Sequence, residues 1–208
     1  MKTIERTTSI ILTLLIAIIG GLSCYAATPQ EALDKARRKL ASASTVTADF
    51  SMKVNGQTVK GKLQSKGQKF ALTSNVTSNW YNGKDLYTYN SAQKETTVFR
   101  PTASELAEVN PLLYLNRASD FKVSGSKQKK PGFETIVLIP SKAGTGIKSV
   151  TMELDASTFL PQTVKILPSS GSAITISLSG IKLNTSIADS TFEYPKIKYP
   201  GVSITDMR

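Results

Sequence analysis

Residues 46–74 read VTADFSMKVNGQTVKGKLQSKGQKFALTS. Val46, Ala48, Phe50, Met52 and Val54 alternate with Thr47, Asp49, Ser51 and Lys53. Successive side chains of a strand point to opposite faces, so this spacing predicts a strand with one apolar face. Asn55-Gly56 follows, and both residues tolerate the positive φ that a two-residue hairpin requires. Val59, Gly61 and Leu63 then alternate with Lys60, Lys62 and Gln64, and Phe70, Leu72 and Ser74 with Lys69, Ala71 and Thr73. Three consecutive antiparallel strands thus share an apolar face and turn lysines to the other side.

Upstream the period changes from 2 to 3.6. Ala32, Leu33, Ala36, Leu40 and Ala43 recur at helical spacing, with Lys35, Arg37, Arg38 and Lys39 on the polar face. Pro29 suits a first turn, where its missing N–H had no partner. Thr28 can cap the helix, and Glu31 stands three residues on, as in a capping box. Before it lies a three-part secretory signal. Lys2 and Arg6 are the positive start, residues 10–19 (IILTLLIAII) the apolar run, and Ala26 and Ala27 the small residues beyond it. Ten helical residues rise about 15 Å, roughly half a bilayer's hydrocarbon core, too short to span comfortably. Cleavage near Ala26 is expected, with residues 1–26 as signal peptide and a periplasmic product. Lipidation at Cys24 is the other reading, but the position three before it is Gly21 rather than a Leu-like residue.

Downstream, Trp80-Tyr81, a turn at Asn82-Gly83-Lys84 and Leu86-Tyr87-Thr88-Tyr89 make another hairpin, and Thr96-Thr97-Val98-Phe99 extends the meander. Residues 102–118 (TASELAEVNPLLYLNRA) interrupt it. Pro111 clashes with a preceding helical turn, so two short helices broken at Asn110-Pro111 are predicted. The second, Leu112-Leu113-Tyr114-Leu115, is apolar nearly all round and must be buried. Strands resume at Phe121-Lys122-Val123 and residues 133–140. Val150, Met152 and Leu154 then alternate, as do Leu160, Gln162, Val164 and Ile166, and Ile174, Ile176 and Leu178. About ten one-sided strands with one long and two short helices predict a mainly β fold with some α. A curved antiparallel sheet forms an unclosed β-barrel that wraps the N-terminal helix and short lid helices. No composition shift divides residues 27–208, which are expected to form a single domain.

The composition narrows the chemistry. There is no His, and Cys24 is the only Cys. The usual general base near pH 7, the commonest metal ligand and a thiolate nucleophile are therefore missing beyond residue 26. No Ser stands in a G-x-S-x-G setting, and no Gly-rich loop suits a phosphate. Asp49, Asp85, Asp120, Asp155 and Asp189 stand singly at strand ends or turns, as Asp commonly does. Glu105 and Glu108 share a helix face and read as solvated, with cation binding as the alternative. No catalytic residue, metal site or cofactor is expected. The net charge is +11, but its lysines are spread along alternating strands, which argues against nucleic acid. The densest run, Lys127-Gln128-Lys129-Lys130, reads as a solvated hairpin tip, with an anionic surface as the sharper alternative.

The order of these pieces resembles the periplasmic lipoprotein carrier LolA and its relatives, from about residue 29 to 206. The signposts are A-D-F-S at 48–51, G-K-L at 61–63, K-F at 69–70 and N-G-K-D-L-Y-T-Y-N at 82–90. N-P-L-L-Y-L at 110–115, V-L-I-P at 137–140, F-E-Y-P at 192–195 and Y-P-G-V at 199–202 complete the series. The resemblance implies a half-open barrel around a hydrophobic cavity, closed by short helices, that carries lipoprotein acyl chains between membranes. It further implies an inner-membrane release complex and an outer-membrane acceptor as partners, and a monomeric carrier. In the best-known carriers an Arg follows the Phe of the K-F strand and helps hold the lid; here that position is Ala71.

On that resemblance the cavity candidates are Phe50, Met52, Leu63, Phe70, Leu72, Trp80, Val150, Met152, Leu154, Ile174 and Ile176. The lid candidates are Leu112, Leu113, Tyr114 and Leu115. The plain alternative is that all of them pack a solid core, because alternation shows which face a residue takes and not what fills it. Two functions remain: a carrier that hands acyl chains on, or a periplasmic lipid- or peptide-binding sensor or regulatory module of the same fold.

Overall fold

The computed structural model describes residues 27–127 and 130–208. The signal-peptide reading, with Cys24 and the cleavage near Ala26, lies outside these residues, as do Gln128 and Lys129 of the basic run. Lys130 does not project freely: its Nζ is 2.9 Å from Glu153 Oε2 and 4.2 Å from the centre of the Phe133 ring.

β1 (Thr45–Val54), β2 (Gln57–Lys66) and β3 (Lys69–Ser74) form the expected antiparallel ladder. Asn55 and Gly56 have φ of 50° and 78°, which matches the hairpin's twist to that of its strands. β4 (Thr77–Tyr81), β5 (Leu86–Asn90) and β6 (Glu95–Phe99) continue the meander. Between β4 and β5 the Asn82 Oδ1 accepts from the N–H groups of Lys84 and Asp85, the local bonding that makes Asn a turn residue. A second meander follows: β7 (Phe121–Gly125), β8 (Phe133–Pro140), β9 (Ile147–Asp155), β10 (Pro161–Pro168) and β11 (Ile174–Leu183). β11 returns to pair with β1 and joins the two meanders into one twelve-stranded sheet ending on β7 and on β12 (Ser203–Asp206). The barrel is unclosed. β12 runs parallel to β6 and exceeds the expected number of strands. Its four residues are all exposed, so it carries no apolar alternation to read.

Helix α1 (Pro29–Ala41) starts as its sequence predicts. Glu31 N–H donates to Thr28 Oγ1 and Thr28 N–H to Glu31 Oε2, closing the capping box. α2 (Ala103–Val109) repeats the device with Thr102 and Glu105. Glu105 is therefore a helix cap, and those bonds hold its carboxyl below the usual carboxylate range. Asn110 and Pro111 break the helix, and a 3-10 segment follows (Pro111–Asp120).

The lengths of these helices decide where the inner face is filled. Thirteen residues span about 20 Å and a helix is roughly 10 Å wide, while strands lie about 4.8 Å apart, so α1 shields only a few of the twelve. It packs on β7 and β8. Ala32, Leu33 and Ala36 join Ile136, Leu138, Val150, Met152 and Leu154 in a solid core there. The rest of the inner face has only α2 and the 3-10 segment for cover.

The outer face of β3 to β5 is covered by the chain after β11. Ile187, Phe192 and Tyr194 pack on Ala71 and Trp80. The Trp80 and Tyr194 rings are 5.6 Å apart edge-on, and Tyr87 stacks on Tyr194 at 5.5 Å. Buried Asp85 then accepts from Arg208 Nη1 at 2.9 Å and lies 3.5 Å from Arg100 Nε, tying the chain beyond β12 to the sheet.

Two carboxylates, Asp155 in the turn after β9 and Asp206 at the end of β12, are expected to make the fold acid-sensitive. Asp155 accepts from Ser157 and Thr158 and is held at about 2; Asp206, bonded to Arg208, also lies at about 2. A depressed carboxylate contributes stability that is complete above its ordinary value of 3.8 and is lost as the pH falls through about 2. Melting temperature is expected to fall across that window, and Asp155→Asn to flatten part of the fall. An unchanged acid slope in that variant would rule the turn out as a contributor.

Candidate apolar cavity

Where α1 gives no cover, the inner face encloses a cavity of about 280 Å³. One wall is Phe50 and Met52 of β1 with Val59 and Leu63 of β2; Leu72 of β3 and Ile174, Ile176 and Leu178 of β11 flank them. Val164 and Ile166 of β10 extend the wall. Val109, Asn110, Pro111 and Leu112 roof it from the junction of α2 and the 3-10 segment. All the strand residues named are in one alternation phase, so strand pairing alone brings them together: Met52 stands opposite both Ile176 and Val59.

Gly61 fits this wall for a steric reason. A Cβ there would lie 2.6 Å from the tip of the Phe50 ring and closer still to the Thr73 carbonyl oxygen. Glycine lets the ring lie across β2. Gly61→Ala is expected to cost about 1–3 kcal/mol through overpacking and to swing Phe50 out of place. Denaturant titration and the Phe50 ring resonances would check it; a parental midpoint with an unshifted ring would reject the close approach.

The cavity's polar lining comes from Ser74, Thr77, Asn79, Glu108 and Asn110. Most are occupied locally. Thr88 Oγ1 donates to Asn79 Oδ1 at 2.8 Å, Ser74 Oγ donates to the Thr77 carbonyl at 2.7 Å, and Asn110 Oδ1 accepts from Leu112 N–H at 3.3 Å. Glu108 is exposed. Among the described residues, no group of three or more His, Cys, Asp or Glu could hold a metal ion. The mostly apolar lining suits apolar chains.

The candidates from the sequence divide. Phe50, Met52, Leu63, Leu72, Ile174 and Ile176 line the cavity. Phe70 lies on the same face but packs with Tyr81 and Leu86 beneath α2. Val150, Met152 and Leu154 belong to the core under α1. Trp80 is on the opposite face, against the tail. Of the lid candidates Leu112 borders the cavity. Leu113 packs between the α1 core and the Phe70 cluster. Tyr114 and Leu115 are core residues, 2% and 1% exposed, and burial pushes the Tyr114 hydroxyl above its ordinary value. Ala71 also faces outward, beneath Phe192 and Tyr194, so a longer side chain there would meet the tail and not the roof. Val59, Val76, Val109, Pro111, Val164, Ile166 and Leu178 also line the cavity and were not among the candidates. Leu178 is in phase with Ile174 and Ile176, a signal that was present; Val109 and Pro111 come from the roof, which no strand period reports.

One solved structure shares this fold, and others superpose less closely. An uncharacterized conserved protein from Thermus thermophilus superposes with a TM-score of 0.58 at 12% identity, covering 85% of this chain and 98% of that one. A LolA superfamily protein from Nitrosomonas europaea gives 0.44 at 12% identity, over 81% and 99% of the two chains. The MucA/MucB complex of Pseudomonas aeruginosa gives 0.42 at 10%, over 80% of this chain and 60% of that one. No curated protein matches the chain in sequence. The sequence model of the outer membrane lipoprotein carrier protein LolA, however, matches residues 41–195, from the end of α1 through every cavity strand to the aromatic tail, and the chain belongs to that family.

Proposed function

We propose that the protein is a periplasmic carrier that binds lipoprotein acyl chains in this cavity and moves them towards the outer membrane. The observation that carries the reading is a cavity with a mostly apolar lining, roofed by a broken helix. In this reading residues 27–208 are the mature single domain, exported after cleavage near Ala26. An inner-membrane release complex loads it and an outer-membrane acceptor unloads it; it performs no catalysis. The six cavity candidates on β1, β2, β3 and β11 contact the chain, and Leu112 is the part of the lid that does.

Burial of one methylene is worth about 0.8 kcal/mol, so a dozen supply roughly 10 kcal/mol before ordering costs. No polar anchor is needed. Binding that breaks no exposed ion pair is insensitive to screening. The delipidated protein is expected to take up a fluorescent fatty acid or lipopeptide with nearly the same affinity from about 0.1 to 1 M salt. Failure to take up either ligand would remove the carrier reading. Uptake only of unacylated peptides would favour the regulatory module. Mass spectrometry of an organic extract of the native protein would identify the cargo.

A further inference from the structure

We propose that Leu112 divides one acyl channel into two chambers, and that this side chain sets the length of chain the protein accepts. The inference rests on the acyl-chain reading above. A second groove of about 130 Å³ also borders the 3-10 segment, with Leu40, Val46 and Phe70 as its apolar lining and Gln68, Lys69 and Asn116 as its polar lining. Asn110 and Leu112 border both spaces. Leu112 also touches both apolar clusters, the one around α1 and the one formed by Ala48, Ile176 and Leu178. It is the apolar side chain that stands between the chambers.

The backbone around it is held. Leu112 N–H donates to Asn110 Oδ1, Leu113 N–H donates to the Asn110 carbonyl at 2.9 Å, and Pro111, Tyr114 and Leu115 are buried. Leu112 itself is half-buried. A change between staggered rotamers can therefore open the partition while the segment stays in place. The need for such an opening is volumetric. At about 280 Å³ the apolar cavity is at the small end of ligand pockets, which run from roughly 300 to 1,000 Å³. Joining the 130 Å³ groove adds nearly half as much again. An unbranched chain passing Leu112 keeps apolar neighbours on both sides, Ile176 and Leu178 in the cavity and Val46, Phe70 and Leu115 in the groove. Asn110 is the polar group at the crossing, and its Oδ1 already accepts from Leu112 N–H. The ligand class is one long acyl chain whose terminal methylenes pass Leu112 into the second chamber.

The test is a homologous series of straight-chain fatty acids, titrated against the delipidated parent, Leu112→Ala and Leu112→Phe by displacement of a fluorescent fatty acid, with a thermal melt of each. Leu112→Ala is expected to move the tightest-binding length upward, with roughly fourfold gain per added methylene over the extension. Leu112→Phe is expected to move it downward. The same lengths as N-acylated peptides separate the sources: tighter binding of the acylated peptides marks a lipoprotein chain as occupant, and tighter binding of free acids marks a fatty acid. A shift in either series supports the partition. An unshifted optimum in a folded variant overturns it and leaves the acyl reading standing. If Leu112→Ala does not fold, Leu112→Phe alone decides. If the parent binds no member of either series, the acyl reading falls and takes the partition with it.

Discussion

Leu115→Asp is expected to unfold the protein. Leu115 is 1% exposed and sits in the core with Leu33, Met152 and Val164. Losing a buried Leu side chain costs about 2–5 kcal/mol, and a lone carboxylate in that place adds a desolvation or protonation cost. Together these approach the whole stability of an ordinary domain, about 5–15 kcal/mol. Leu112→Asp, earlier on the same segment, should leave the fold standing, because its carboxylate can reach water through the cavity mouth. Urea titration of both variants separates the roof from its anchor. If Leu115→Asp keeps a midpoint near that of the parent, Tyr114 and Leu115 are not the fixed base of this segment, and the whole stretch moves as a lid.

Met52→Asp is expected to abolish acyl binding in a protein that still folds. Met52 is half-buried in the cavity wall, opposite Ile176 and Val59. Met52 is partly accessible to water, so a carboxylate there is solvated in the free protein. A bound acyl chain would strip that water away. A desolvation cost of about 3 kcal/mol weakens binding more than 100-fold. The comparison is Met152→Asp, which places the same change in the core beneath α1 and should cost stability instead. Parental acyl affinity in folded Met52→Asp would mean that the chain does not lie along β1.

The contrast between Met52 and Met152 states what could be read in the chain and what could not. Both stand in alternating strands with apolar neighbours, and in sequence they are equivalent. The local rules acted on near neighbours and were legible. Thr28 and Glu31 closed their capping box, Asn55-Gly56 made its turn, and Pro111 ended a helix because each effect reaches only a few residues. The absence of His is likewise a property of composition and limits the chemistry before any fold is known. Registers carried the first legible facts across the chain: one phase along β1, β2 and β11 put Phe50, Met52, Leu63 and Ile176 on a common face.

What covers that face is a different kind of information. Alternation is a property of one strand, whereas a cavity is the absence of a partner, and partners arrive from far along the chain. α1 ends after thirteen residues, so Val150, Met152 and Leu154 are covered and Phe50 and Met52 are not. The tail folds over the outer face, so Trp80 and Ala71 are buried on the side away from the cavity. The turn between β3 and β4 sets the phase of Trp80 against Leu72, and adjacent aromatic residues Trp80 and Tyr81 conceal it in the sequence. β12 owes its place to pairing with β6 and to the Asp85–Arg208 bond, not to any pattern of its own. The chain's short-range preferences thus specified strands, turns, caps and their apolar faces, while long-range packing chose which apolar face became core and which became an open cavity, because only the assembled helices and tail determine where covering atoms run out.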